Sequence, residues 1–302
     1  MTVSVVIAAH ARPGRTRALL EALAGEAEVV VAADGATPAV HAVLEEFGVR
    51  VVRLDPGRGP AAARNAGWRA ATGDVIAFTD DDCVPAPGWT AALLAAAGDG
   101  EVVVQGRVEP LPAERHLMGP FNRTLEVHAA GPFFQTANIL YPRAVLERLG
   151  GFDESFTAPA GEDTDLGWRA QEAGVPIRYA PDALVWHAVH EFGWRGMVRD
   201  APRFATALRV LSSHPGVREN LHHRIFWKPA HEKVLLAAAG IALGRRTHGA
   251  ALGAVVPWLL VHRAEHASRG ALLRALPAHL AVDAAEVAAM TRGSWRARTL
   301  LI

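Results

Sequence analysis

The sequence predicts an α/β fold: a doubly wound, mostly parallel sheet followed by an all-α extension. Three observations predict it. Short apolar, β-branched runs bounded by turn residues alternate with Ala/Leu-rich stretches through the first half of the chain. Those runs are continuously apolar rather than alternating, as expected of strands covered on both faces. Beyond His187 the strand signals stop and only helical ones remain.

Taken in order, residues 3–8 read as a strand, 15–24 as a helix, 28–32 as a strand and 38–47 as a helix entered through a proline. A strand at 49–54, a helix at 61–71, a strand at 74–78, a helix at 88–97 and a strand at 101–105 continue the alternation. From about 106 to 141 the regularity fails, because Pro110, Pro112, Pro120 and Pro132 interrupt any long element. A loop-rich stretch of that length is more often functional than idle. Helices at 142–149 and 162–172 flank a Gly-Gly break, and strands near 177–179 and 183–186 close this part. The expected division is one domain over 1–190 and a helical region over 191–302.

Composition bounds the function. Half of the 302 residues are hydrophobic and there is a single cysteine, which excludes a disulfide framework, a disordered chain and a collagen. The net charge of zero hides a division: residues 1–187 hold 15 of the 31 basic and 24 of the 31 acidic groups, leaving 16 basic and 7 acidic beyond. An acidic part with one task and a basic part facing something anionic, a phosphate-bearing substrate or a membrane surface, fit that division. The plainer reading is an uneven draw from an Arg-rich composition. At the N-terminus the apolar run precedes the basic residues, the reverse of a signal peptide, so the expected location is cytoplasmic.

The strand at 74–78 runs into Asp80-Asp81-Asp82. Alternation in extended backbone would turn Asp80 and Asp82 to one side and Asp81 to the other. In an open α/β sheet ligands sit beyond the carboxyl ends of the strands, where this triplet falls. Two carboxylates on one side make a hard-oxygen site for Mg²⁺ or Mn²⁺ that shares its remaining positions with phosphate oxygens. The plainer reading is an acidic turn capping the next helix. Asp34-Gly35 ends another strand, where a carboxylate can accept from a ribose hydroxyl or a base N–H, although Asp-Gly is also an ordinary turn pair.

The run Gly59-Pro60-Ala61-Ala62-Ala63-Arg64-Asn65-Ala66-Gly67, then Gly73 to Asp82, resembles the central signature of family 2 glycosyltransferases. So do Gly150-Gly151-Phe152-Asp153-Glu154 and Glu162-Asp163-Thr164-Asp165-Leu166 after them. The resemblance covers roughly residues 2–190. It implies a GT-A fold, an inverting reaction, a nucleotide-diphosphate sugar donor, a hydroxyl acceptor and a divalent metal. Residue by residue, it implies that Asp34 contacts the base or ribose, and that Asp80 and Asp82 are the outer aspartates of the metal motif. Asp82 would be the foremost direct ligand, with Asp81 near ribose and phosphate. Asp163 would be the catalytic base and His187 a further metal ligand. Arg64 lies where a cation can meet the nucleotide or simply on a helix surface. Asn138 falls in a segment that lines the sugar site in the family. Two departures touch the nucleotide pocket: Ala8-Ala9-His10-Ala11 stands for the usual Pro-Thr-Tyr-Asn, and Ala33 for the first Asp of Asp-Asp-Gly. Ala8 and His10 therefore belong to the donor-binding expectation.

Direct displacement at an anomeric carbon needs a base for the acceptor proton and neutralisation of the leaving diphosphate, the second a task for a Lewis-acidic metal. Glu162 and Asp165 compete with Asp163 for the base role, and carboxylates in a first helical turn are also stabilised there without catalysing anything. His187 reads equally as a satisfied histidine beneath the helical region.

In the tail, Arg195, Arg199 and Arg203 recur every four residues, a stripe on one helical face with a kink at Pro202. The uncharged stretches 234–244 and 247–262 fall short of the ~20 apolar residues that cross a bilayer. Peripheral contact with anionic lipid, an oligomer contact or a soluble helical subdomain are the open readings, and a lipid-linked or polysaccharide acceptor fits the first. The rival functions are a sugar nucleotidyltransferase, which would show a glycine- and cation-rich loop after the first strand, and a nucleotide-sugar-binding scaffold without catalysis. A nucleic-acid partner is not expected, because the acidic domain repels a polyanion.

Overall fold

The computed structural model describes residues 1–301, Ala207 by its backbone alone. It divides into two compact units, one of Met1–Met118 with Thr124–His190, the other of Gly119–Arg123 with the chain from Glu191 onward.

The first unit is built on one eight-stranded sheet. Its strands are β1 (Val3–Ala9), β2 (Glu28–Asp34), β3 (Arg50–Leu54), β4 (Val75–Asp80), β5 (Cys83–Pro85), β6 (Val103–Pro110), β7 (Ile139–Pro142) and β8 (Ile177–His187). They lie in the order β3-β2-β1-β4-β7-β6-β8-β5. The helices are α1 (Pro13–Ala22), α2 (Pro38–Phe47), α3 (Pro60–Ala70), α4 (Trp89–Ala97), α5 (Arg143–Leu149) and α6 (Glu162–Glu172). β1 pairs in parallel with β2 and β4, and β2 with β3. Val5, Val6 and Ile7 of β1 are all fully buried, so both faces of this central strand are covered. Prolines open α1, α2 and α3, where the missing N–H costs nothing. α3 approaches β1 closely at Gly67, where a Cβ would come within 2.5 Å of Val6.

Two strands escaped the sequence reading. β7 sits between β4 and β6, antiparallel to both, in a stretch read as irregular and then helical. Its four residues are all buried, and so short an apolar run carries no period to tell strand from helix. β5 is a three-residue strand antiparallel to β8. Conversely, the two short strands expected near 177–186 are one. β8 runs parallel to β6 with a shift between Gly106/Arg107, where Gly106 faces Ala180 and Arg107 faces Leu184. That bulge accommodates Pro181, which cannot donate to the ladder.

The second unit is helical, with α7 (Gly193–Asp200), α8 (Arg203–Ser213), α9 (Pro229–Leu243), α10 (Val256–Arg263) and α11 (Arg269–Ala297). The arginine stripe expected over 195–203 does not form on one kinked helix. Pro202 separates two helices, and Asp200 accepts from both Arg203 (3.0 Å) and Arg123. Val234, Ala237 and Trp258 pack as a small core. Among the described residues no helix is long and apolar enough to cross a membrane.

Candidate active site

The acidic triplet lies at the carboxyl end of β4, but its geometry departs from simple alternation. β4 ends at Asp80, and Asp81 and Asp82 form a turn before β5. Side-chain alternation therefore stops at Asp80, and Asp81 and Asp82 share one partner: Arg12 donates to Asp81 at 2.7 Å and lies 3.1 Å from Asp82. Asp80 faces a different cation, Arg64, at 2.8 Å. Asp80 and Asp82, expected as a metal pair, thus face different partners.

Asp82 instead converges with histidines at the end of β8. His190 Nε2 lies 2.7 Å from one Asp82 oxygen, and His187 Nε2 lies 3.6 Å from the other. The His187 ring is oriented from its far side, where Nδ1 lies 2.7 Å from the Ala188 carbonyl. A carbonyl only accepts, so Nδ1 carries the proton and Nε2 presents its lone pair to Asp82. Asp82 Oδ1 is buried without a hydrogen-bond partner. An anionic oxygen and an imidazole lone pair facing each other across that distance leave both groups wanting a cation. The donor set thus fits a divalent metal. Cys83 Sγ also borders this cluster, and burial with the neighbouring Asp82 charge pushes its thiol well up. Burial alone would raise the Asp82 carboxyl; the His190 hydrogen bond and the Arg12 charge are among the influences that outweigh it and hold it at about 2.

Arg64 is buried and forms the second centre. It donates to Asp80 and to Glu162 at 2.8 Å each, with the Phe152 ring against it. This joins the signature on α3 to the first turn of α6. Asn65 makes a parallel join: its amide donates to the Phe152 carbonyl (2.8 Å), and its oxygen accepts from Phe152 N–H and the Trp68 indole, both at 2.9 Å. Asp163 follows Glu162 at the start of α6, part-buried, and accepts from the Thr164 N–H at 2.7 Å. Burial and then the Glu162 charge push its carboxyl up to about 7, against the opposing pull of Arg64. Arg64 itself is held protonated by Asp80 and Glu162 in spite of its burial.

Asp34 ends β2 and accepts backbone N–H groups from Arg58 (2.5 Å) and Gly59 (2.9 Å), so its carboxylate shapes the loop that enters α3. His10 is exposed at the end of β1, its Nδ1 2.7 Å from the Asp34 carbonyl. Ala8 lies between Ala32 and Asp80 in the register and is part-exposed.

Asn138 does not stand ready for a sugar. It is fully buried, accepts from the Trp89 indole (2.8 Å) and donates to the carbonyls of Arg107 (2.8 Å) and Ala183 (2.7 Å). Those carbonyls flank the bulge between β6 and β8, so the amide closes a gap in the ladder. Gly106 is required beside it, since a Cβ there would come within 2.3 Å of the amide.

Sequence reasoning placed the triplet, Asp163 and His187 but missed Arg12, Glu162 as the partner of Arg64, and His190. A signal for His190 was present, a second histidine three residues beyond His187; for Arg12 it was only a cation just past the first strand.

Two family models match the chain, Glycosyl transferase family 2 over residues 4–150 and Glycosyl transferase family group 2 over residues 115–263. The chain is 35% identical over 202 residues to the pre-mycofactocin glycosyltransferase of Mycobacterium tuberculosis, covering 61% of this chain and 42% of that one. It is 29% identical over 204 residues to the validoxylamine A glucosyltransferase of Streptomyces hygroscopicus subsp. jinggangensis, covering 54% and 48%. The chain thus spans less than half the length of these relatives. Among solved structures it is similar to a Pyrobaculum calidifontis mannosyltransferase in complex with GDP-Man and Mn²⁺, with a TM-score of 0.57, 22% identity and coverage of 97% and 87%. A fragment of S. aureus TarS in complex with UDP aligns with a TM-score of 0.53, 17% identity and coverage of 98% and 91%. These likenesses establish the GT-A fold.

Proposed function

Because the chain belongs to the family 2 glycosyltransferases, we propose that it moves a sugar from a nucleotide-diphosphate donor to an acceptor hydroxyl with inversion, using a divalent cation and an aspartate base. The observation that carries the metal part is the orphaned, buried Asp82 Oδ1 facing the lone-pair nitrogen of His187. Asp82 and His187 would hold Mn²⁺ or Mg²⁺, and the cation would supply Lewis-acid stabilisation of the leaving diphosphate. Asp80 is engaged by Arg64 and is not assigned to the metal.

Asp163 takes the acceptor hydroxyl proton as the acceptor oxygen forms its bond to the anomeric carbon. The bond from that carbon to the phosphate oxygen breaks, and its electron pair stays with the diphosphate. A carboxyl near neutrality suits this work, since it is a stronger base than an ordinary aspartate yet ionised at pH 8. Arg64 and Glu162 act on Asp163 through charge and position. Asp34, His10 and Ala8 shape the nucleotide side of the pocket, and Arg12, half exposed over Asp81 and Asp82, is placed to meet the diphosphate.

The test is thermal stabilisation by a panel of UDP-, GDP- and dTDP-sugars with and without Mn²⁺. One donor with Mn²⁺ should raise the melting temperature, and Asp82→Asn should remove the Mn²⁺-dependent part. Stabilisation by none of them with metal present would overturn the catalytic reading.

For the helical unit we propose peripheral contact with an anionic lipid surface at the cytoplasmic face, which would bring a lipid-linked acceptor within the substrate class. What supports it is the exposure of Ile241, Leu260, Leu273 and Trp295 in a region of net positive charge.

A further inference from the structure

Away from the sheet, the helical unit gathers three histidines and two carboxylates around the turn between α10 and α11. His262 is on α10, Glu265 and His266 follow it, and His279 and Asp283 are on α11. One ligand atom from each of His262, Glu265 and His279 lies within 4.8 Å of the others. The approaches to Glu265 are made by Nδ1 of both rings, at 3.5 Å from His262 and 3.9 Å from His279. The two rings stack with centroids 3.9 Å apart, which sets these edges side by side.

We propose that His262 Nδ1, Glu265 and His279 Nδ1 form a second metal site, for a borderline dication of the zinc class, with water completing the coordination.

The groups behind the rings set the nitrogens for this task. His262 Nε2 lies 2.9 Å from Asp283, which also accepts from the Trp258 indole at 2.8 Å. An aspartate so placed keeps the ring proton on Nε2 and turns the Nδ1 lone pair toward Glu265. His262 is 3% exposed, and its Nδ1 is buried with no hydrogen-bond partner. His279, equally buried, has Nε2 within 2.8 Å of His266 Nε2, so it can donate there and present Nδ1 in the same way. Phe121 covers the His279 ring at 4.7 Å. Two imidazoles and one carboxylate are a donor set that zinc(II) accepts with a water in the fourth position.

A dication held here would neutralise the carboxylates of Glu265 and Asp283, which converge on the two rings. It would clip the turn and α10 to α11.

The test uses the full chain carrying Asp82→Asn, so that the sheet-side cluster does not report. This chain should bind one equivalent of Zn²⁺ by equilibrium dialysis, release protons on binding, and give the visible absorption of low-coordinate Co²⁺. Glu265→Gln, a substitution at a half-exposed side chain, should weaken Zn²⁺ at least about tenfold, and His279→Gln should abolish the cobalt spectrum. Glu232→Gln should leave both unchanged, because the His222–His223–Glu232 cluster lies elsewhere in the chain. Absence of stoichiometric Zn²⁺, binding indifferent to Glu265→Gln and His279→Gln, or binding lost in Glu232→Gln would each overturn the site in favour of a hydrogen-bonded histidine cluster without metal.

Discussion

As the proposed base, Asp163 combines two properties that pull apart under pH. Its carboxyl must be ionised to accept a proton, and burial with the Glu162 charge raises it to about 7. Sugar transfer at saturating donor should therefore rise with pH through about 7. Asp163→Asn should cost ~10²–10⁴-fold in kcat while leaving Mn²⁺-dependent donor binding in place. Unchanged turnover would remove Asp163 as the base. Stability runs the other way. A raised folded pKa means that the folded chain holds a proton which the unfolded chain has released between about pH 4 and 7, so this group's contribution is present below the unfolded value and lost as pH rises through about 7. Asp163→Asn should then melt higher than the parent at pH 8 and lose that advantage near pH 4; a lower melting temperature at pH 8 would contradict the assignment. His187→Gln should lose Mn²⁺-dependent donor stabilisation while the fold persists, since the part-exposed ring at the end of β8 meets only polar groups of its surroundings such as the Ala188 carbonyl and Thr124 Oγ1 through Nδ1.

At the scale of elements, the join between β6, β7 and β8 depends on one amide. Asn138→Ala leaves the carbonyls of Arg107 and Ala183 and the indole of Trp89 buried without partners. At roughly 1–3 kcal/mol for each such group, the loss should be about 3 kcal/mol or more, read as a lower denaturation midpoint. A change within about 0.5 kcal/mol would show that the bulge is satisfied some other way. These elements also mark what local patterning conveys. α2 and α6 coincide with the residues whose periodicity and proline or acidic entry predicted them. β5 and β7 were illegible because three or four apolar residues specify a strand only through the neighbours that accept their hydrogen bonds.

For the whole molecule, the charge division is the feature with an observable consequence. The unit beyond His190 carries exposed Leu273, Leu260 and Trp295 together with the basic excess. The chain should float with vesicles containing anionic lipid, detach as salt rises, and ignore neutral vesicles. Flotation that is insensitive to both charge and salt would leave only apolar adsorption, and no flotation would remove the membrane reading. By itself the sequence determined the α/β class, the run of carboxylates at strand ends and the family, because buried strand runs, turn residues and motif spacing are written in neighbouring positions. Only the tertiary structure decided that Asp80 answers to Arg64 while Asp82 answers to His187 and His190, and that Asn138 serves the sheet. Those pairings join residues far apart in the chain, and which side chain meets which charge is set by the strand order and the turn after β4.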